Sequence, residues 1–260
     1  MAIARGAGVI AARDLAPAQL DSVLGRTSPV LKLAIALLWI GGLALSTAWG
    51  PPSALAAVAV VAGLAAGRVP PADLARAAAP LWLAAAGLGV FNSVFGVANA
   101  DPAATTIGML GPLRLTAEAV QGGVGLGLRV LAIGAIGAAF ALTTDSTRLV
   151  DSLVQQARVP ERFAFGALAA YGAIPRFSRD LVDLQAARRM RGLRGSWHPR
   201  VLVGLLVLAI RHGDRLALAM DARAFGSGSR TRYREVRWGW LDAAVGAGAA
   251  LVLVGALALR

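Results

Sequence analysis

No cysteine occurs in the 260 residues, so disulfides, thiolate nucleophiles and thiolate metal sites are excluded and the redox compartment stays open. Histidine is limited to His198 and His212, too few for a histidine-built metal site. Lysine occurs once, at Lys32; the other 25 of the 26 basic residues are arginines, so the positive charge is permanent and fork-shaped. Charged residues of both signs make up only 15% of the chain, against a usual share of about 25% in soluble domains. With 57% hydrophobic residues, the chain carries more apolar surface than one soluble core explains, and a bilayer is the expected solvent. The first 30 residues lack the continuous apolar core of a secretory signal, being interrupted by Arg5, Arg13, Asp14, Asp21 and Arg26, so the mature chain is expected to begin near Met1. No Gly-x-x-x-x-Gly-Lys-Ser/Thr phosphate loop is present, and hydrolysis of a nucleotide by this chain is not expected.

What the sequence does have is long uncharged runs. Leu33 to Gly67 contains no charge. As one helix it would extend roughly 50 Å, too long for a hydrocarbon core of about 30 Å. Gly50-Pro51-Pro52 supplies a break, because proline removes a backbone donor and clashes with the preceding turn. Two short spans, 33–49 and 53–68, are therefore expected. Further spans are expected at 77–100, at 119–144 interrupted by Arg129, and in the carboxy-terminal segment 238–260 interrupted by Asp242. Trp82, Trp238 and Trp240 fall near the ends of these runs, where amphipathic rings settle at headgroup level. The predicted fold class is all-α: a polytopic membrane protein with about five transmembrane helices.

Arginine placement predicts the orientation, since loops rich in Lys and Arg stay in the cytoplasm. Residues 145–237 carry 17 arginines against eight acidic residues, whereas the connection 101–118 holds only Asp101, Arg114 and Glu118. The amino-terminal 32 residues hold four basic and two acidic groups. Five spans with the amino terminus and 145–237 inside satisfy all three counts. The chain then divides into a four-span region, 1–144, a cytoplasmic region, 145–237, and a final span, 238–260.

The cytoplasmic region is far longer than an ordinary connection of about 4–6 residues. Leu149, Val150, Leu153 and Val154 recur at helical spacing after the capping cluster Thr143-Thr144-Asp145-Ser146, and Pro160 ends that element. A second helix is predicted over Glu161–Met190, with Pro175 expected to bend it. A third is predicted over Pro199–Phe225, with proline in its first turn and Gly226 as its stop. Arg211, Asp214, Arg215 and Asp221 share one face of the third helix, leaving Leu205, Leu206, Leu216 and Met220 on others, so it is amphipathic and lies on something.

Two helix ends have a common pattern: Gln185-Ala186-Ala187-Arg188-Arg189-Met190-Arg191-Gly192 and Ala219-Met220-Asp221-Ala222-Arg223-Ala224. Small flanks let backbones approach closely, and a guanidinium offers several donors to helix-end carbonyls or to a partner's carboxylate. In this pattern the chain resembles the transmembrane (T) component of energy-coupling-factor transporters, including the cobalt-type permeases. Pro29-Val30-Leu31-Lys32, Arg129, Thr143-Thr144-Asp145-Ser146-Thr147 with Leu149-Val150-Asp151, and Ile174-Pro175 also match that family. One departure is Met190, where the family usually has alanine before Arg-Gly; another is Gly172, where a basic residue commonly precedes the proline.

The resemblance implies long cytoplasmic coupling helices whose ends, Met190-Arg191-Gly192 and Ala222-Arg223-Ala224, dock on two cytoplasmic ATPase subunits. It implies that the chain itself is not an enzyme and needs no cofactor. Motion would pass from the ATPases to a small substrate-binding membrane subunit for uptake of a vitamin or transition-metal ion, across a bacterial plasma membrane. Arg129 costs about 2.5–3.5 kcal/mol inside a span and is functional by default, though snorkelling or a bundle-internal hydrogen bond are equally open. Asp242, near an end, is expected to reach water. Gly123-x-x-x-Gly127 permits close helix packing, with a substrate-subunit interface as one use. The alternative reading is a stand-alone secondary transporter or other permease, which would need ionisable residues clustered at mid-membrane. Nucleic acid is not an expected partner, because the charge follows the membrane flanks without aromatic interleaving.

Overall fold

The computed structural model of the chain describes residues 16–46, 48–110, 113–193, 198–225, 228 and 235–258. In chain order its elements are α1 (Pro17–Leu20), α2 (Val23–Arg26), α3 (Pro29–Leu45), α4 (Gly50–Val61), α5 (Pro71–Phe95), β1 (Thr106–Leu110), β2 (Leu113–Thr116), α6 (Ala117–Thr143), α7 (Ser146–Gln155), α8 (Glu161–Met190), α9 (Pro199–Ala222) and α10 (Trp240–Ala258). A π turn, Ala62–Ala66, continues α4, and a 3-10 turn, Val97–Ala100, follows α5. The chain is an all-α membrane protein apart from one short hairpin. Leu15–Leu149 with Val236–Arg260 form one compact unit, and a second is built on Val150–Glu235.

In the first unit, Pro71–Ala100, Ala117–Thr143 and Trp240–Ala258 are long and apolar enough to cross a bilayer, and Pro29–Leu45 and Gly50–Ala66 are shorter apolar helices. Between the two shorter helices the break lies just ahead of the prolines. α3 stops at Leu45, and Pro51 and Pro52 occupy the first turn of α4, where a missing N–H leaves no partner unsatisfied. α3, α4, α6 and α10 share a core in which Trp39, Leu43 and Leu55 sit among alanines such as Ala59, Ala132 and Ala256. Trp39 donates its indole N–H to the Ala249 carbonyl at 3.1 Å, which ties α3 to α10. Lipid offers no hydrophobic drive between helices, so small residues that bring backbones close, together with such bonds, hold the bundle.

α5 packs along α6 through glycines. A Cβ on Gly123 would lie 2.5 Å from the Gly89 carbonyl and 2.1 Å from Ser93 Oγ, and one on Gly127 would lie 3.0 Å from the Ala85 carbonyl. The Gly123-x-x-x-Gly127 face is therefore occupied within this chain by α5, which removes it as a surface for another subunit. The opposite face of α5 is exposed, with Leu83 and Phe91 among its uncovered side chains, as contact with lipid tails requires.

The connection 101–118 contains the antiparallel hairpin β1–β2, pairing Met109 with Arg114 and Leu110 with Leu113. Asn99 fastens it to the helices: its amide donates to the Ser93 and Val94 carbonyls at the end of α5, and its oxygen accepts from the Thr116 N–H and hydroxyl. Asp242 departs from expectation. Instead of reaching water it is 6% exposed, and its carboxylate accepts the backbone N–H groups of Ser28 and Gly239. Those donors lie at the amino-terminal ends of α3 and α10, where helix dipoles favour a negative charge.

The second unit centres on α8 and α9. α8 spans the predicted residues and runs uninterrupted through Pro175. α9 starts at Pro199 as predicted but ends at Ala222 instead of Phe225; Gly226, expected to stop it, lies outside the described residues. The two helices are antiparallel neighbours, since Phe165 meets Phe225, Phe177 meets His212, and Leu184 packs on Gly204. Leading into this unit, α7 is capped by Asp145, whose carboxylate accepts the Arg148 N–H at 2.8 Å.

Candidate docking site

The two helix ends singled out in the sequence fold into one backbone motif. At the end of α8 the Gly192 N–H donates to the Arg189 carbonyl at 3.0 Å and the Leu193 N–H to the Arg188 carbonyl at 3.2 Å. At the end of α9 the Ala224 N–H donates to the Asp221 carbonyl at 2.9 Å and the Phe225 N–H to the Met220 carbonyl at 3.0 Å. Each is a Schellman cap, in which backbone donors satisfy carbonyls that a helix end would otherwise leave orphaned. Arg191 and Arg223 occupy the equivalent C-cap position in the two motifs.

The residue after each arginine takes the left-handed conformation, with φ +71° at Gly192 and +54° at Ala224. Glycine does this freely, whereas a Cβ in that region costs about 1–2 kcal/mol. The small flanking residue thus has a local cause: it lets the chain reverse immediately after the arginine. Close backbone approach is not the reason at Gly192, where an added Cβ would meet nothing within 4 Å. A helix-end arginine followed by Gly or Ala is a signal for this cap that the sequence reading could have used.

Because the caps are made by backbone, the guanidinium groups are spare. Arg191 and Arg223 are exposed, and among the described residues neither forms a side-chain hydrogen bond or ion pair. Met190 is 90% exposed beside Arg191, while Ala222 and Ala224 flank Arg223 without obstructing it. The six residues are not brought together. In the antiparallel pair Phe165, near the start of α8, meets the end of α9, so Arg191 stands at the far end, roughly 39 Å along the helix at ~1.5 Å per residue. The geometry offers two like-built cationic tips, one at each end of the pair.

Between the helices lies a cavity of about 330 Å³, lined by small residues such as Gly166, Ala173 and Gly213 together with Phe177, His212 and Met220. The amino-terminal half of α9 is apolar around much of its circumference, and Leu202, Val203, Leu206 and Ile210 are exposed. The remaining candidate, Arg129, lies in the other unit. Its Nη2 donates to the Ser46 carbonyl at the carboxy-terminal end of α3, where a cation complements the helix dipole. Of the alternatives the sequence left open, the bundle-internal hydrogen bond is the one formed.

The family profile described as cobalt transport protein, CbiQ, matches residues 21–233. An energy-coupling factor transporter transmembrane protein EcfT of Heliobacterium modesticaldum is 29% identical over 243 residues, covering 87% of this chain and 89% of the relative. A protein of the same name from Listeria innocua is 28% identical over 151 residues, covering 51% of this chain and 57% of the relative. A protein of Bifidobacterium longum named as an ABC transporter ATP-binding protein is 28% identical over 200 residues, which is 70% of this chain and 25% of that protein.

Proposed function

Starting from the fact that the chain belongs to the CbiQ family of cobalt transport proteins, and so is a membrane component of a transporter, we propose that it is the energy-coupling T component of an ATP-driven importer. In this reading two cytoplasmic ATPase subunits dock on Met190-Arg191-Gly192 and Ala222-Arg223-Ala224. Their motion passes through α8 and α9 to the membrane helices and to a small substrate-binding membrane subunit. The cargo is a vitamin or a transition-metal ion, with cobalt favoured by the family description. The chain sits in a bacterial plasma membrane with its amino terminus and residues 145–237 in the cytoplasm, and ATP is hydrolysed by the partners.

The observation that carries the reading is the repeated tip: the same cap, the same arginine position and, among the described residues, the same lack of a side-chain partner, at two ends of one antiparallel helix pair. Two equivalent tips suit a pair of equivalent partners. The Bifidobacterium relative adds support, because the similarity occupies a quarter of a chain named as ATP-binding. A stand-alone secondary transporter would need an ionisable group available at mid-membrane, and Arg129 is already bound to the Ser46 carbonyl.

Co-expression with the neighbouring ATPase genes and affinity purification test the docking. Reversing one charged contact at an interface typically costs about 2–5 kcal/mol, so Arg191→Glu with Arg223→Glu should cut ATPase recovery by more than about tenfold. Either substitution alone should weaken recovery less, since the intact tip holds its partner near. Undiminished recovery with the double variant, membrane insertion being normal, would discard the docking assignment.

A further inference from the structure

Among the described residues the chain passes from one compact unit to the other between Leu149 and Val150 and between Glu235 and Val236. Close to each passage stands a charged side chain bonded to the same short backbone segment of the membrane unit. Before the first passage, Arg148 donates from Nη1 to the Gly25 carbonyl at 2.6 Å. After the second, Asp242 Oδ1 accepts the Ser28 N–H at 2.7 Å, while its other oxygen accepts the Gly239 N–H at 2.8 Å. Lys32, the single lysine, completes the set by donating to the Leu24 carbonyl at 2.9 Å and to the Thr143 carbonyl, at the end of α6, at 2.7 Å.

These bonds converge on Leu24–Ser28, the end of α2 and the turn that leads into α3. The segment is built to resist displacement. Thr27 and Ser28 are buried, Thr27 Oγ1 donates to the Val23 carbonyl, and a Cβ on Gly25 would lie 2.0 Å from the Gln19 carbonyl. Lys32 and Asp242 are 7% and 6% exposed, and their charges are met by backbone groups of this neighbourhood. Buried charged groups bonded to backbone dipoles have few alternative arrangements, so the junction behaves as a discrete fastening more than a loose hinge.

We propose that Lys32, Arg148 and Asp242 are positioning residues that clamp both connections to the Leu24–Ser28 segment, so that movement of the second unit enters the membrane helices there. The proposal rests on the coupling function inferred above. It assigns the entry point of the motion to a cluster remote in sequence from the arginine tips.

Hydrogen–deuterium exchange of the complex co-purified with its ATPases, with and without ATP and vanadate, tests the clamp. In wild type, nucleotide should alter exchange at 185–193 and 220–225, and also at 20–32. In Lys32→Met, and separately in Arg148→Gln, the change at the tips should persist while that at 20–32 falls by at least about fivefold. Lys32→Arg, which keeps a donor and a charge, should restore it. A nucleotide-dependent change at 20–32 that survives both variants, or that is missing in wild type while the tips respond, would overturn the clamp. So would exchange at 20–32 raised equally with and without nucleotide and unrescued by Lys32→Arg, since that marks a structural role alone. A wild-type complex that recovers no ATPase, or whose tips do not respond, would instead sink the coupling function on which the clamp depends.

Discussion

The cations of the membrane unit and those at the ends of α8 and α9 meet the same chemical problem with opposite results. A helix carboxy terminus leaves carbonyls without partners. In the membrane unit side chains supply the donors: Arg129 serves the end of α3, Lys32 the end of α6, and Arg148 the Gly25 carbonyl in α2. In the second unit the backbone closes on itself at Arg191 and Arg223, and neither guanidinium has a side-chain bond among the described residues. A residue type therefore does not decide its role. An arginine whose neighbours already satisfy the helix end is available to a partner, and one aimed at open carbonyls holds the fold.

That contrast can be broken most severely at Arg129. Arg129→Glu would set a negative charge against the carbonyl end of α3, and a hydrogen bond to a charged group contributes about 1.5–3 kcal/mol, so markedly less folded protein should be recovered in mild detergent. Arg129→Lys should retain much of the yield. Equal yields for both variants would remove the cap from the account.

The next effect comes from packing. Gly123→Ala places a Cβ 2.1 Å from Ser93 Oγ and 2.5 Å from the Gly89 carbonyl, and overpacking of this kind costs about 1–3 kcal/mol. A lowered melting temperature is expected, while Gly137→Ala, whose new Cβ meets nothing within 4 Å, should be silent.

The smallest effects sharpen the likeness of the two tips. Ala224→Gly should stabilise the end of α9 and Gly192→Ala should destabilise the end of α8, each by about 1 kcal/mol, because only glycine adopts positive φ without strain. Local amide exchange at the caps reads both, and effects of the same sign would show that the caps are not equivalent.

Much of this arrangement was legible from local signals. Uncharged runs, the break at Gly50-Pro51-Pro52, the stop at Pro160 and the start at Pro199 were readable because each proline acts on its own turn of backbone, though the prolines at 51–52 open the next helix instead of separating the two. The arginine tips were legible for the same reason, being punctuated helix ends. The partners of Lys32, Arg129 and Asp242 were not, since they lie 111, 83 and 214 residues away and no periodicity carries that information. The hairpin at 106–116 was hidden by its brevity. Gly123 and Gly127 announced close packing without naming α5 as the neighbour.

The claim that two equivalent tips receive the motor subunits is tested most directly by site-specific photocrosslinking. With p-benzoylphenylalanine at Met190, and separately at Ala222, in membranes containing the co-expressed ATPases, each position should yield an adduct with an ATPase subunit. Adducts with lipid alone at both positions, or with an ATPase at neither, would contradict the account.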